Sequence, residues 1–259
     1  MANKAIENNI IVTGGTTGIG LAIVLRLLQD EYNVGFFGSS EERVKAAVKT
    51  AQNHGFSEDV FLARRVDLRA HEQIGSFVKE FNNQFGPVGG LVNSAGISPK
   101  LDGKRIPLHE TSIENWQDVF DVNLISALIC LQHVLPSMME KKFGRIVMIG
   151  SVASRALPRF AGCAYVASKA GLGGLARSVA SEYAVFGITA NTVAPGNIAT
   201  EMTGGINSPQ NLAAAMNIPA GRIGEPEDLA GIVAFLCSKE ARFINGATID
   251  VTGAEYISP

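Results

Sequence analysis

A tyrosine and a lysine one helical turn apart are the residues in this chain best suited to acid–base chemistry. They open and close the segment YVASK, and their i, i+4 spacing places Tyr165 and Lys169 on one face of a helix. A phenol has a pKa near ~10 in water, too high for a base at neutral pH. An ammonium about 5 Å away, at an effective dielectric of about 20, would lower that pKa by roughly two units. The pair therefore predicts proton transfer at a substrate oxygen. The alternative is an ordinary pair of side chains on a helix surface.

A glycine-rich turn near the start of the chain could hold phosphate groups. The sequence TGGTTGIG follows an apolar run directly and precedes an amphipathic segment. Glycines permit a tight turn and a close approach of backbone to a pyrophosphate, and the N–H groups that begin the next helix attract an anion. The alternative is a tight turn without a ligand. The residues expected to contact a dinucleotide here are Thr13, Gly14, Thr16, Thr17, Gly18, Ile19 and Gly20.

The end of the second predicted strand bears on the choice of cofactor. An acidic residue there would bind the ribose 2′-hydroxyl and select NAD. The strand ends instead at Gly38, Ser39 and Ser40, and Arg43 follows in the next helix. Because these serines could bind a 2′-phosphate, NADP is the expected cofactor, with NAD as the alternative. Ser40 has a second interpretation as the N-cap of the helix that follows.

These residues are positioned by a regular alternation of short β-branched runs and longer amphipathic segments. Predicted strands cover residues 10–12, 34–37, 60–66, 90–92, 145–149, 189–193 and 248–251. Predicted helices cover residues 19–28, 41–54, 72–85, 113–139, 164–186 and 227–238. This order predicts an α/β fold, a Rossmann-type doubly wound parallel sheet of about seven strands with helices on both faces, forming a three-layer sandwich. We expect one domain over residues 1–259, with an irregular substrate loop around 195–222.

Composition excludes several other classes of protein. The chain has 259 residues, 46% of them hydrophobic, and a net charge of −2, so we expect no nucleic-acid partner. Three cysteines and four scattered histidines give neither a disulfide framework nor a metal site. The first fifteen residues contain no long apolar run typical of a secretory signal, and the apolar stretch 123–139 is interrupted by Gln132, His133 and Pro136. We therefore expect a cytoplasmic protein without a membrane partner.

Taken together, the motifs resemble those of the short-chain dehydrogenase/reductase family in its compact form, over residues 8–257. The segments that carry the resemblance are TGGTTGIG, Asp67-Leu68, NSAG at 93–96, Asn123, Ser151, YVASK, PGNIAT at 195–200 and NGATIDVTG near the end. The resemblance implies that Tyr165 is the general acid–base and that Ser151 hydrogen-bonds the substrate oxygen. It further implies that Lys169 binds the nicotinamide ribose and that Asn123 holds a water linking Lys169 to solvent.

The same resemblance implies further cofactor contacts. These are Asp67 and Leu68 at the adenine, Asn93, Ala95 and Gly96 along the ribose path, and Pro195, Gly196, Ile198 and Thr200 near the carboxamide. Asn93 has an alternative role in strand-to-strand hydrogen bonding, and Asp67 an alternative role as a helix-start acid. Two departures from the family pattern stand out. The chain has NSAG where NNAG is usual, and it has Thr17 and Ser39 where NADP-dependent members often carry basic residues.

The expected activity is the NAD(P)-dependent interconversion of a ketone and a secondary alcohol. Residues 171–203 and 220–236 resemble 3-oxoacyl-carrier-protein reductases, whereas residues 98–112 look more like sugar, polyol or general ketone reductases. The alternatives are therefore a sugar or polyol dehydrogenase preferring NAD, and a catalytically silent nucleotide-sensing protein. Substrate-lining residues are expected to include Arg155, Arg159, Phe160, Met202 and Met216. Relatives usually form homotetramers, and the small residues Gly171, Gly173, Gly174, Ala176 and Ala180 suit close packing, either between subunits or against the chain's own sheet.

Overall fold

A seven-stranded, entirely parallel sheet forms the centre of the protein in the computed structural model, which describes residues 6–156, 160–205 and 207–258. The strands are β1 (Asn9–Thr13), β2 (Asn33–Gly38), β3 (Phe61–Arg65), β4 (Gly90–Asn93), β7 (Gly144–Ile149), β8 (Ile188–Pro195) and β9 (Thr248–Val251). A separate two-residue hairpin pairs β5 (Lys100–Leu101) with β6 (Lys104–Arg105). The seven strands lie in the order β3-β2-β1-β4-β7-β8-β9. The first three strands therefore extend the sheet to one side of β1 and the later strands extend it to the other side. The boundary between β1 and β4 is where a doubly wound fold forms its ligand crevice.

Helices cover both faces of the sheet, as the alternating pattern predicted. They are α1 (Gly18–Gln29), α2 (Glu41–Asn53), α3 (His71–Phe85), α4 (Ile113–Phe120), α5 (Ser126–Lys141), α6 (Cys163–Tyr183), α7 (Pro209–Ala215) and α8 (Pro226–Cys237). The side chains of α1, α2 and α8 pack in one apolar core, and those of α3, α5 and α6 pack in a second core on the opposite face. Strands buried on both faces read as continuous apolar runs, which is why β1 consists of Asn-Ile-Ile-Val-Thr with all five residues buried.

Three local departures from the predicted elements concern the loops and the longest helix. The predicted helix 113–139 extends to Lys141 and contains a π-helical turn at Asp121–Ile125. The segment 195–222, predicted to be irregular, contains α7, whose N-terminus is capped by the Ser208 hydroxyl. The polar segment after β4, for which no strand was predicted, contains the small hairpin. The two departures in the loops lie in stretches of weak periodicity, where tertiary contacts decide the conformation.

The continuous helical stretch Ile113–Lys141 is strongly apolar in composition. With a mean hydropathy of 1.5 over its most apolar part, it is long and apolar enough to cross a membrane by those two criteria alone. Half of that part is buried inside the protein. Cys130, Leu131 and Val134 belong to the core formed with α3 and the sheet. A core helix therefore accounts for the apolar character.

Candidate active site at the carboxyl ends of the strands

The carboxyl ends of β1, β2, β4, β7 and β8 open into one cleft, which brings together most of the residues predicted to be functional. Those that line the cleft are Gly14, Thr16, Thr17, Gly18, Ile19, Gly20, Gly38, Ser39, Asp67, Leu68, Ala95, Gly96, Ser151, Tyr165, Lys169, Pro195, Gly196, Ile198 and Thr200. Parallel strands place their carboxyl ends at the same edge of a sheet, so residues far apart in sequence meet here. Thr13, Ser40, Asn93 and Asn123 are not part of this lining, and each has another contact.

Thr13 and Asn93 support the cleft from beneath. The Thr13 hydroxyl accepts hydrogen bonds from the two backbone N–H groups that follow β4, both at 3.1 Å, and so joins β1 to the next loop. Asn93 is buried, and its Nδ2 lies 3.2 Å from the Met148 sulfur on β7. Asn93 therefore makes the strand-to-strand contact that was its alternative interpretation. Ser40 likewise caps α2, because its hydroxyl accepts a hydrogen bond from the Arg43 backbone N–H at 3.3 Å.

Asn123 lies in the π-helical turn and is almost completely buried. Its Oδ1 accepts a hydrogen bond from the Ile97 N–H at 2.8 Å, and its Nδ2 donates to the Ile97 carbonyl at 3.1 Å and to the Ser168 hydroxyl at 3.0 Å. The wider π turn leaves the regular helical hydrogen-bonding pattern, and such turns are frequent at functional sites. The Asn123 amide therefore ties the loop after β4 to α6, the helix that carries Tyr165 and Lys169.

Ser151, Tyr165 and Lys169 converge on one part of the cleft. Ser151 lies two residues after the end of β7, and Tyr165 lies in the first turn of α6, which packs against β7 and β8. The Ser151 side chain interacts with the Tyr165 phenol and lowers its pKa, and the Ser151 hydroxyl also accepts a hydrogen bond from the Ala153 N–H at 3.2 Å. The Lys169 ammonium lies 5.8 Å from the centre of the Tyr165 ring and donates to the Ile149 carbonyl at 2.8 Å. A hydroxyl, a phenol and an ammonium thus surround one point at the end of β7.

Burial determines the direction of both pKa shifts at this point. Burial raises the pKa of Tyr165, and the Ser151 side chain opposes that rise. Burial lowers the pKa of Lys169 to about 8, since a cation loses its hydration in the cleft wall. The sequence predicted a phenol made acidic by its neighbouring ammonium. In the structure, removal of the phenol from water acts in the opposite direction and raises its pKa.

The glycine-rich turn forms a cradle with room for a phosphate group. Gly14 has a φ of +65° and lies so close to the loop after β4 that a Cβ at this position would meet the Ala95 Cα at 2.8 Å. The Thr17 side chain makes no capping hydrogen bond at the start of α1. Gly18, Ile19 and Gly20 line the cleft, and the N–H groups of this first helical turn have no acceptor within the helix. Uncapped N–H groups of this kind fit the pyrophosphate of a dinucleotide.

A second close approach determines the side chains available at the end of β2. A Cβ at Gly38 would lie 2.4 Å from the Thr16 hydroxyl, so no larger residue fits at Gly38 without moving Thr16. The next residue, Ser39, lines the cleft, and its carbonyl accepts a hydrogen bond from Arg65 Nε at 3.0 Å. Arg43 lines the same end of the cleft. The structure thus places a hydroxyl and two guanidinium groups near this strand end.

Comparison with known proteins identifies the family. A family model described as enoyl-(acyl carrier protein) reductase matches residues 14–253. The chain belongs to the short-chain dehydrogenase/reductase family. A 3-oxoacyl-[acyl-carrier-protein] reductase of Staphylococcus aureus is 36% identical over 253 residues, which cover 97% of this chain and 99% of that protein. The resemblance inferred from the motifs is thereby confirmed.

Two solved structures of family members are similar in fold and contain a nicotinamide cofactor. A 3-oxoacyl-[acyl-carrier protein] reductase with bound NAD from Brucella melitensis is 28% identical, with a TM-score of 0.88 over 97% of this chain and 92% of that one. A blue fluorescent protein from a metagenomic library, in complex with NADPH, is 31% identical, with a TM-score of 0.86 over 96% of this chain and 98% of that one. The present short-chain dehydrogenase/reductase is an NAD(P)-dependent oxidoreductase, and its Rossmann-type fold is as predicted.

Several residues of this short-chain dehydrogenase/reductase line the cleft without having been predicted to contact the cofactor. They are Phe37, Val66, Arg69, Ser94, Ile97, Val122, Ile149, Gly150, Glu201 and Thr203. Most stand next to a predicted motif residue, so extending each motif by one or two positions would have found them. Arg69 is held by Asp118 on α4, with a 2.5 Å contact from its Nε, and by Asp67. Glu201 follows the predicted contact Thr200, but no sequence pattern indicated that its side chain would pair with Arg43 at the cofactor end of the cleft.

The residues predicted to line the substrate pocket are placed differently from one another. Met202 lines the cleft. The Phe160 and Met216 side chains are exposed to solvent and are not part of the cleft lining, and Arg159 lies outside the described residues. Arg155 forms an ion pair with Asp250 on β9, with Nε 3.0 Å from Oδ1, and its guanidinium lies 5.7 Å from the centre of the Tyr256 ring. The Arg155 charge is therefore directed toward the C-terminal strand. Among the described residues, no group of three His, Cys, Asp or Glu side chains could hold a metal ion.

Proposed function

We propose that this enzyme reduces a 3-oxoacyl thioester to the corresponding secondary alcohol, with NADPH as the preferred cofactor. The observation that carries the proposal is the convergence of Ser151, Tyr165 and Lys169 in the same cleft as the glycine-rich phosphate cradle. A carbonyl reductase needs these two sites together, because the cofactor and the proton donor must reach one carbon–oxygen bond. The names of the relatives supply the substrate class.

The proton is delivered by Tyr165. Bound NADPH supplies the hydride, and the developing negative charge falls on the substrate oxygen. Ser151 donates a hydrogen bond to that oxygen, and the Tyr165 phenol, whose pKa burial raises, gives it a proton. A raised pKa suits a donor, since the phenol holds its proton at neutral pH until the oxygen takes it. The nearby Lys169 ammonium then stabilises the phenolate and binds the ribose hydroxyls of the cofactor.

Asn123 acts as a positioning residue in this proposal. Its amide holds both the N–H and the carbonyl of Ile97, a residue that lines the cleft, and it also binds Ser168 on α6. It thus fixes the loop after β4 relative to Tyr165 and Lys169. The water-holding role expected from the family is compatible with this position, because Oδ1 lies on the Gly96 side, where the Lys169 ammonium also lies.

The cofactor preference rests on the end of β2. No acidic side chain stands at Gly38 or Ser39, and the Thr16 contact keeps position 38 as glycine. Ser39 and Arg43 line the cleft here, and in this proposal the Ser39 hydroxyl and the Arg43 guanidinium bind a 2′-phosphate. Ser40 contributes less than expected, because its hydroxyl is engaged as the α2 cap. The predicted contacts at Asp67, Ala95, Ile198 and Thr200 serve the remaining parts of the dinucleotide.

The substrate side of the cleft suits an apolar acyl chain. Met202 lines it, and the exposed Phe160 and Met216 belong to the segment after Ser151 and to the substrate loop 195–222, which we expect to border the bound substrate. Arg155 is engaged by Asp250, which leaves little positive charge for a small dianionic substrate. We assign the cleft and this loop to one catalytic domain spanning the chain.

A spectrophotometric assay tests the proposal. Acetoacetyl-CoA is offered with NADPH, and oxidation of the cofactor is followed by loss of its near-ultraviolet absorbance. Tyr165→Phe should lower kcat by at least about 100-fold, as expected for loss of a general acid, without loss of NADPH binding. Tyr183→Phe, at the other end of the same helix, is the matched control and should keep its activity. Full activity of Tyr165→Phe, or no oxidation with any 3-oxoacyl thioester, would refute the proposal.

A cytoplasmic homotetramer is the proposed assembly. On the outer face of α6, Gly174 has open space where a side chain would lie, whereas Ala176 is buried within the chain's own core, so the small residues of this helix serve both kinds of packing. Leu128 on α5 is 43% exposed and Phe243 is 98% exposed, which supports further apolar contacts between subunits. Light scattering measures the mass. Leu128→Glu should reduce it to that of a smaller species, and a monomeric unmodified protein would contradict the assembly.

A further inference from the structure

An ion pair spans the cofactor end of the cleft. Arg43 lies in the first turn of α2, and Glu201 lies in the loop after β8, next to Thr200. Arg43 Nη2 is 2.9 Å from Glu201 Oε2, and both residues line the cleft. The two side chains are 58% and 67% exposed, so the pair bridges the opening rather than the floor. It therefore connects the wall that selects the cofactor to the loop that borders the substrate.

The neighbouring arginines differ from Arg43 in their partners. Arg65 Nε donates to the Ser39 backbone carbonyl, and Arg69 is held by two carboxylates, those of Asp67 and Asp118. A phosphate approaching Ser39 would find Arg69 already neutralised by a fixed network. Arg43 faces one exposed carboxylate on the opposite wall, and a phosphate could replace that partner without leaving a buried charge unpaired.

We propose that Glu201 is a specificity-determining residue that competes with the cofactor's 2′-phosphate for Arg43. A guanidinium forms stronger, charge-assisted hydrogen bonds with a phosphate dianion than with one exposed carboxylate. NADPH would therefore exchange the Glu201 contact for a 2′-phosphate contact and free the loop after β8. NADH has no 2′-phosphate, so it would leave the ion pair intact and the loop attached to α2. The inference builds on the cofactor preference proposed above, and the experiment separates the two.

Glu201→Gln removes the competing charge and keeps the size of the side chain. Dissociation constants for NADPH and NADH, from the fluorescence of the bound dihydronicotinamide, should show NADPH binding about threefold to fivefold more tightly in Glu201→Gln, the upper part of the range expected for an exposed ion pair. NADH affinity should change by less than about twofold. The probes 2′,5′-ADP and 5′-AMP should reproduce the difference without any hydride chemistry. Glu227→Gln, an exposed carboxylate on α8, is the matched control and should leave all four constants unchanged.

Arg43→Met supplies the decisive background. It should weaken NADPH binding about tenfold or more, and adding Glu201→Gln to it should bring no further change. The inference is overturned if Glu201→Gln alters NADPH and NADH equally, or if it still tightens NADPH binding without Arg43, since the carboxylate would then act by general repulsion. If the unmodified enzyme binds NADH more tightly than NADPH, the proposed cofactor preference fails. A selective gain for NADPH in Glu201→Gln would still support the competition.

Discussion

Replacing Lys169 by methionine should make the protein more stable at neutral pH while removing its activity. Lys169 is 3% exposed and has a pKa of about 8, compared with 10.5 for a free lysine. At 1.36 kcal/mol per pH unit, keeping this ammonium charged in the folded protein at pH 7 costs about 3 kcal/mol. Methionine has a similar length and no charge, but it loses the hydrogen bond to the Ile149 carbonyl, which is worth about 1 kcal/mol. The expected net gain is about 2 kcal/mol.

The pH dependence of this gain distinguishes the buried charge from a general packing effect. Between about pH 8 and 10.5, the unfolded chain holds the Lys169 proton and the folded protein does not. The stability of the unmodified protein should therefore rise with pH through this window relative to that of Lys169→Met. Melting temperatures should differ by about 4–8 °C at pH 7, with the variant higher, and should nearly coincide at about pH 9.5.

Lys79→Met, at an exposed site on α3, is the control and should show no such dependence. A lower melting temperature for Lys169→Met at pH 7, or a difference that does not shrink as the pH rises, would refute the reasoning. The first result would mean that the ammonium is stabilised where it lies. The second would mean that the substitution acts through packing.

Three further outcomes follow from the geometry of the site. Because burial raises the pKa of Tyr165, carbonyl reduction should keep its rate up to about pH 7 and decline above about pH 8, where Lys169 loses the charge that stabilises the phenolate. A fall in reduction between about pH 6 and 7 in rate profiles would contradict this. Gly38→Ala should weaken cofactor binding and lower the free energy of unfolding by about 1–3 kcal/mol, because the new Cβ would meet the Thr16 hydroxyl. Calorimetric titration measures the cofactor affinity and melting curves measure the stability, and unchanged values would mean that Thr16 moves freely. Arg155→Gln should lower the free energy of unfolding in urea by about 1–2 kcal/mol, since Asp250 loses its cationic partner. Equal unfolding midpoints for Arg155→Gln and the unmodified protein would show that the ion pair contributes nothing to stability.

The sheet and the strand-end motifs could be predicted from the sequence because short-range patterns determine them. A strand buried on both faces must be apolar, and a phosphate-binding turn must follow it directly, so β1 and the turn at Gly14 were placed correctly. Tyr165 was predicted from its i, i+4 spacing to Lys169, and the role of Ser151 was implied by the family resemblance. Their presence in one cleft is a consequence of parallel pairing.

Other features depend on contacts between distant segments and left no local signal. The π turn at Asn123 is stabilised by the Ile97 backbone, which no spacing in the helix announces. The short helix α7 lacks a strong period, so propensity alone did not reveal it. The prediction for Tyr165 also started from the pKa of a phenol in water and lowered it by the attraction of the Lys169 ammonium. In the structure, Tyr165 loses much of its hydration in the cleft, and this loss raises its pKa. The partner of Arg43 is more than 150 residues away, and side-chain reach cannot be read from sequence order.

The position of β1 in the sheet has a consequence for synthesis on the ribosome. β1 pairs with β2 on one side and with β4 on the other, and β4 begins at Gly90, more than 75 residues after β1 ends. During translation, the nascent β1 therefore has one open edge of unpaired backbone groups for the whole interval. Open apolar edges are templates for aggregation. A chain arrested after α3 would keep this edge exposed, so chaperone dependence should be greatest for nascent chains that end before β4 has emerged.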